Sequence, residues 1–380
     1  MEVTLTIPLY AYLLVKITRL NFNTEISRKQ IFSLGFTSSL LILSRLDTGL
    51  LIVLMLALIW FNYNNSLRNK LKFYAIFAAG GILMPLYFLS NYYWFGHLMT
   101  VSSASKALKE GHAINLNMIR YLATNRDGLG GIFLIPLGII ALVMSRKYLN
   151  HSQGLICFLV LSYPVVYYFA VLYETDWFLN RWYLYPLSIC FFISLGLLSN
   201  VLCRNIKNST NVTLRRISLT SISIAAIIFT CILVMRDTIN WKPDPNSVYA
   251  SAKKLLPFVK DHPGIYAMGD QAGLTAYLLQ VPIIQLEGLN ADFKMSDNIK
   301  AKKDLNDVLH DYHADYLIET SDQNGFPKRD GCFEIEEPHP EQAGKLSYKM
   351  KGVFCTEPLY QNATGSLGGY QMQTYIFKVK

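Results

Sequence analysis

Residues 39–61 read SLLILSRLDTGLLIVLMLALIWF, two apolar runs interrupted once, by Arg45 and Asp47. Ionisable side chains at membrane depth are expensive and mark a site, a pairing or a helix end. Where this pair lies along its helices therefore decides how the surrounding chain is read.

The 380 residues are 52% hydrophobic and only 16% charged, against roughly 25% charged in an ordinary soluble domain. Residues 1–235 carry 19 Lys/Arg and 7 Asp/Glu, whereas residues 236–380 carry 16 and 19. A basic, apolar first part is thus followed by a mildly acidic, water-compatible second part. The net positive charge follows this division and gives no reason to expect a nucleic-acid partner. Composition predicts an α-helical polytopic membrane domain over residues 1–235, followed by a small extracytoplasmic α/β domain over residues 236–380.

About eight transmembrane helices are expected, near 3–16, 31–45, 48–64, 73–94, 128–145, 154–173, 182–203 and 217–235. The segments 16–30, 65–72, 146–153 and 204–216 hold 13 Lys/Arg and are expected on the cytoplasmic side. Six Lys/Arg and six of the seven acids fall on the opposite side. This alternation places Arg45 and Asp47 at an outer turn and the tail outside the cytoplasm. It also places Met1 outside, without a signal-like start, so further helices are expected to precede Met1.

In the tail, GIYAMGD (264–270), VPIIQLEG (281–288) and ADYLIET (314–320) read as strands alternating with helices, the pattern of a parallel sheet. KAKKDLNDVLHDYH (300–313) reads as one amphipathic helix, and the last stretch as antiparallel strands. Cys332 and Cys355 flank a predicted hairpin, where a disulfide is permitted outside the cytoplasm. No CxxC or His-rich spacing points to zinc. The sequence shows no cofactor requirement and leaves a divalent metal open.

Of the charged residues at predicted outer helix ends and loops, Arg45, Asp47, Lys106 and Arg181 are the candidates for meeting a phosphate. Arg is a bidentate phosphate clamp and Lys a point charge. Each also has a plain structural reading. Arg45 and Asp47 can pair, Lys106 can be a solvated loop charge, and Arg181 can pair with Glu174 or Asp176. The aromatic residues Tyr92, Tyr93, Trp94, Trp177, Trp182, Tyr183 and Tyr185 read as an interfacial belt. In the tail, Asp270 and Glu287 end neighbouring predicted strands and are candidates for binding an acceptor sugar. Asp270 reads equally as a helix cap.

The order of the ME start of the first helix, GFTSSLLILSRLDTGLLI, YWFGHLMTVSSASKA, the RWYLYP helix start, and GIYAMGDQAGLTAYLL followed by IIQLEGLNAD resembles that of bacterial GT-C type membrane glycosyltransferases, the group that includes protein mannosyltransferase-like and arabinosyltransferase-like enzymes. The resemblance implies transfer of a sugar from a polyprenyl-phosphate donor to a glycan, lipid or protein acceptor, on the extracytoplasmic face of the bacterial inner membrane. Arg45, Lys106 and Arg181 would meet the lipid phosphate, and Asp47 would orient Arg45 or a sugar hydroxyl. The chain departs from that family in one respect. The family's key acid lies in its first extracytoplasmic loop, and no acid in residues 1–235 matches it, so the catalytic acid is expected upstream of Met1. Competing expectations are a transporter or flippase of lipid-linked substrates, and a non-catalytic membrane scaffold with a glycan-binding tail.

Overall fold

A computed structural model describes residues 2–22, 24–111, 114–116, 119–120, 126–176, 181–207, 248–269, 271–289, 291–322, 325–338, 346–367 and 370–379. The chain divides into two compact units. The first is Met1–Leu98, Ile114–Tyr173 and Leu179–Cys231; the second is Met99–Ala113, Glu174–Phe178 and Ile232–Lys380.

The first unit is helical: α1 (Glu2–Thr18), α2 (Arg28–Ser44), α3 (Gly49–Asn62), α4 (Leu67–Gly80), α5 (Leu83–Phe95), α6 (Arg126–Ser145), α7 (His151–Glu174) and α8 (Tyr185–Lys207). Local chemistry sets several of these boundaries. Ser27 and Gln30 form a reciprocal capping box at the start of α2, with the Gln30 amide donating to Ser27 Oγ at 3.3 Å and the Ser27 amide donating to Gln30 Oε1 at 3.2 Å. Ser66 caps α4 by accepting from the Asn69 amide at 3.4 Å. α2 and α4 meet at two glycines. A Cβ on Gly35 would lie 2.1 Å from the Phe77 carbonyl oxygen, and one on Gly80 would lie 2.2 Å from that of Phe32. Only residues without side chains allow backbones so close.

The expectation of an eight-span membrane domain is overturned. Among the described residues one helix, α7, is long and apolar enough to cross a membrane. α4 and α5 pass the same test only as a pair bent by 52°. The expected spans at 3–16, 31–45 and 48–64 are helices of 17, 17 and 14 residues, about 21–25 Å long against a hydrocarbon layer of about 30 Å. Those at 128–145 and 182–203 coincide with α6 and α8, whose side chains are described in part, and 217–235 lies outside the described residues. The physical reason lies in the breaks. Hydropathy runs on through residues 39–61 and 73–94, but the helices do not. Arg45 takes an extended conformation (φ −157°, ψ 115°) between α2 and a 3-10 turn at Leu46–Thr48, and Gly81 ends α4. The architecture is a helical unit with a separate mixed α/β unit.

The packing nevertheless has a direction. At one end of the helical unit Ser152 donates to the Leu20 carbonyl at 3.0 Å, Phe22 meets His151 edge-on, and Lys72 pairs with Glu25 at 3.1 Å. The basic stretches 16–30, 65–72 and 146–153 thus gather there. At the other end Thr6 meets Ser44 at 3.1 Å and Tyr167 of α7 reaches Asp47. Residues 151 and 167 lie about 24 Å apart along a helix.

The second unit holds β1 (Tyr266–Met268), β2 (Ile283–Gln285), β3 (Tyr316–Asp322), β7 (Tyr360–Leu367) and β8 (Tyr370–Lys378) in the order β2-β1-β3-β8-β7, and a smaller sheet β4-β5-β6 (Lys328–Arg329, Cys332–Glu337, Met350–Phe354). The three strands expected from sequence are mutually parallel, with Tyr266 opposite both Ile283 and Tyr316. β8 closes onto β3 antiparallel, Leu317 opposite Phe377. Helices α9 (Val248–Lys254), α10 (Leu256–Asp261), α11 (Ala272–Leu279), α12 (Phe293–Lys300) and α13 (Leu305–Asp311) accompany them. The single helix expected over 300–313 is instead two. Lys302 turns to φ +52°, and Asp304 caps a new helix by accepting from the amides of Asn306 (2.8 Å) and Asp307 (3.3 Å). Leu286, Leu317, Phe333, Ile335, Met350 and Phe377 build the main core. Cys332 and Cys355 are disulfide-bonded across β5 and the end of β6.

Two stretches distant in sequence complete this unit. Ser105, in the short helix Val101–Lys106, donates to the Gly288 carbonyl at 2.9 Å. Gly288 is held at φ +75°, and a Cβ there would lie 2.7 Å from Ser105 Oγ. Asp176 accepts from Ser347 at 2.8 Å and faces Lys109 at 3.7 Å.

Candidate functional site

The described residues concentrate buried charge in the helical unit around Arg45. The chain breaks helix there, so the Arg45 carbonyl is free of the α2 ladder and accepts from the Thr48 amide (3.0 Å) and the Thr48 hydroxyl (2.7 Å). The side chain folds back on Asp47. Nε lies 3.1 and 3.2 Å from the two carboxylate oxygens, and Nη2 lies 2.6 Å from Oδ2. The guanidinium faces the rings of Tyr183 (5.1 Å) and Tyr185 (4.8 Å). That combination of fork and stacked ring is available to Arg and not to Lys.

Asp47 is held from its other side by tyrosines. Tyr167 donates to Oδ2 at 3.0 Å and Tyr185 to Oδ1 at 3.4 Å. The hydroxyls of Tyr163 and Tyr185 bond to each other, and Tyr168 donates to the Tyr183 carbonyl at 3.0 Å. Tyr163 and Tyr167 stand four residues apart and share one face of α7. Tyr10 of α1 meets Tyr163 edge-on at 6.0 Å, and its fully buried hydroxyl has no hydrogen-bond partner among the described residues. The Arg45 side chain is 6% exposed and that of Asp47 25%, so the pair opens on the carboxylate side.

This geometry assigns roles. A carboxylate offers about four lone-pair positions, and Asp47 already accepts from Arg45, Tyr167 and Tyr185. It is therefore a poor general base and a good anchor. Arg45 is a rigidly oriented, desolvated cation, the form in which a charge acts most strongly on an anion.

The remaining residues expected at a site are described one by one. Lys106 ends the short helix Val101–Lys106 and belongs to the second unit. Arg181 opens the 3-10 turn Arg181–Leu184, and its side chain lies outside the described residues. Asp270 also lies outside them. Glu287 is buried just beyond β2, accepts from Gln285 Nε2 at 3.0 Å, and lines a small recess with Ser105, Ile299, Pro338 and Tyr348. Another buried carboxylate of this unit gave no signal in the sequence. The buried Glu337 carboxylate fills the space where a Cβ of Gly269 would stand, 2.1 Å from the nearer oxygen. The tyrosines around Asp47 were missed as well. Tyr185 was expected at a membrane interface but is buried, and the available signal was the Tyr163–Tyr167 spacing within an apolar helix.

Among the described residues no group of three or more His, Cys, Asp or Glu side chains is placed to hold a metal ion. No protein-family model, curated protein or solved structure matches the chain.

Proposed function

We propose that the chain serves a glycosyltransferase that takes its sugar from a polyprenyl-phosphate donor outside the cytoplasm, with Arg45 as the cation that meets the lipid phosphate. The observation that carries this reading is the buried Arg45, aimed by Asp47 and framed by Tyr183 and Tyr185. In such a transfer an acceptor hydroxyl attacks the anomeric carbon, and the lipid phosphate leaves with the bonding electron pair. A preorganised guanidinium stabilises the negative charge that grows on the leaving oxygen. Asp47 holds the guanidinium in plane, and Tyr167 and Tyr185 hold Asp47. The base that accepts the acceptor's proton is a different group, because Asp47 has no lone pair to spare. The disulfide between Cys332 and Cys355 supports an oxidising compartment for the second unit.

The test is transfer of labelled sugar from polyprenyl-phosphate donors by membranes holding the protein in its native setting. Arg45→Ala is expected to abolish transfer while the protein still accumulates. Undiminished transfer by Arg45→Ala would remove Arg45 from the mechanism. A second reading, a non-catalytic scaffold, is favoured by one observation: both Asp47 oxygens are already engaged within the fold. It predicts that Arg45→Ala lowers the amount of folded protein and changes no transfer rate per folded molecule.

A further inference from the structure

The helical unit presents one element that its own fold leaves uncovered. No residue of α5 is buried. Met84, Tyr87, Phe88 and Asn91 form a half-buried face toward the rest of the unit, while Leu86, Leu89 and Tyr93 line the opposite side at 52%, 59% and 79% exposure. The helix ends in Tyr92–Tyr93–Trp94–Phe95, with Trp94 at 74% exposure. Apolar residues on all sides are the mark of a helix surrounded by apolar material. The run Phe73–Gly96 contains no charged residue, so nothing there answers a charged rim on a protein partner. Its two ends differ. α4 begins with Arg68, Lys70 and Lys72, and α5 closes on tyrosines and a tryptophan, the residues that settle at lipid head groups.

Length decides the mode. α5 has 13 residues, about 20 Å of helix, too short for a hydrocarbon layer of about 30 Å. It is also bent by 52° from α4 at Gly81–Ile82. We propose that α5 is a lipid-facing half-helix, packed on the unit through its Met84–Asn91 face, immersed in acyl chains through Leu86 and Leu89, and anchored at head-group level by Tyr92–Phe95. The partner is the bilayer itself. This goes beyond the transferase reading, since it assigns a binding surface remote in sequence from Arg45 and is tested without turnover.

The experiment uses the full chain in phosphatidylcholine vesicles whose lipids are brominated either near the head group or near the acyl terminus. The fluorescence belonging to Trp94 is the difference between the native chain and Trp94→Phe. Head-group-level bromine is expected to quench that difference signal more strongly than terminal bromine, and vesicles are expected to protect it from aqueous acrylamide. The proposal is overturned if acrylamide quenches it equally with and without vesicles while neither brominated lipid does. It is also overturned if Trp94 is unquenched by lipid and Tyr93→Cys chains cross-link to one another, which assigns the surface to a second copy. The Trp94→Phe change is conservative at an exposed position, so the comparison survives without any assumption about folding of a disrupted core.

Discussion

Replacing Asp47 by Leu is the most informative single perturbation of the helical unit. It leaves Arg45, whose side chain is 6% exposed, without its counter-charge. Removing one partner of a fully buried pair costs about 3–5 kcal/mol. Asp47 is a quarter exposed, which moves the expectation to the lower end, about 3 kcal/mol, because solvent screens part of the loss. The hydroxyls of Tyr167 and Tyr185 lose their acceptor at the same time, adding about 1 kcal/mol each where they stay buried. Arg45→Met keeps the volume and removes the charge, leaving Asp47 to draw on the tyrosines and on water through its open side. The double variant Arg45→Met/Asp47→Leu then removes both charges and is expected to be about 2 kcal/mol more stable than additivity of the single changes predicts. The assay is equilibrium unfolding of the four proteins in one detergent, followed by near-ultraviolet circular dichroism, where the tyrosine cluster contributes. Additive effects within about 0.5 kcal/mol, or an Asp47→Leu cost below about 1 kcal/mol, would refute a desolvated, mutually dependent pair.

Three further outcomes are expected. Gly35→Val places a side chain where Phe77 carbonyl oxygen lies 2.1 Å from the Cβ position, and should destabilise by about 1–3 kcal/mol or more as α2 and α4 separate; a thermal midpoint equal to that of the native protein would contradict the close crossing. The Cys332–Cys355 bond closes a loop of sequence separation 23, so Cys332→Ser/Cys355→Ser should lower the stability of the second unit by about 3 kcal/mol in the chain-entropy treatment, read by denaturant unfolding. Lys351, with Lys349, holds the Glu336 carboxyl below its ordinary range. A depressed folded-state value means stability that is present above the unfolded-state value and lost as pH falls through the folded one; Glu336→Gln should therefore lower the second unit's stability modestly at neutral pH, converge with the native protein in acid, and so flatten the acid limb of the pH–stability curve.

The sequence made much of the second unit legible. β1, β2 and β3 fall on the runs YAM, IIQ and YLIETSD, because buried parallel strands write themselves as short apolar runs between helical spacings. The turn at Asp304 was hidden because KAKKDLNDVLHDYH keeps an amphipathic pattern across a break set by one cap. Membership of residues 99–113 and 174–178 in this unit was hidden for another reason: it depends on contacts such as Ser105 with Gly288, 183 positions apart. In the helical unit, hydropathy located the apolar material but not the helix ends. Leu40–Phe61 is apolar on both sides of Arg45, and only the backbone shows two helices with a turn between them. Arg45 and Asp47 were visible as an interruption. Their tyrosine partners come from α7, α8 and the turn Arg181–Leu184, more than a hundred residues away, and nothing local in the chain announces them.

Arg45 is held in place to meet an anion. The most direct test of that role is binding of a fluorescent polyprenyl phosphate and of the corresponding uncharged polyprenol to the purified protein in detergent, with Arg45→Met and Tyr93→Ala as companions. The phosphate form is expected to bind tighter than the alcohol, Arg45→Met to erase this preference, and Tyr93→Ala to preserve it. Equal binding of phosphate and alcohol by the native protein, or a preference that survives Arg45→Met in folded protein, would contradict that role.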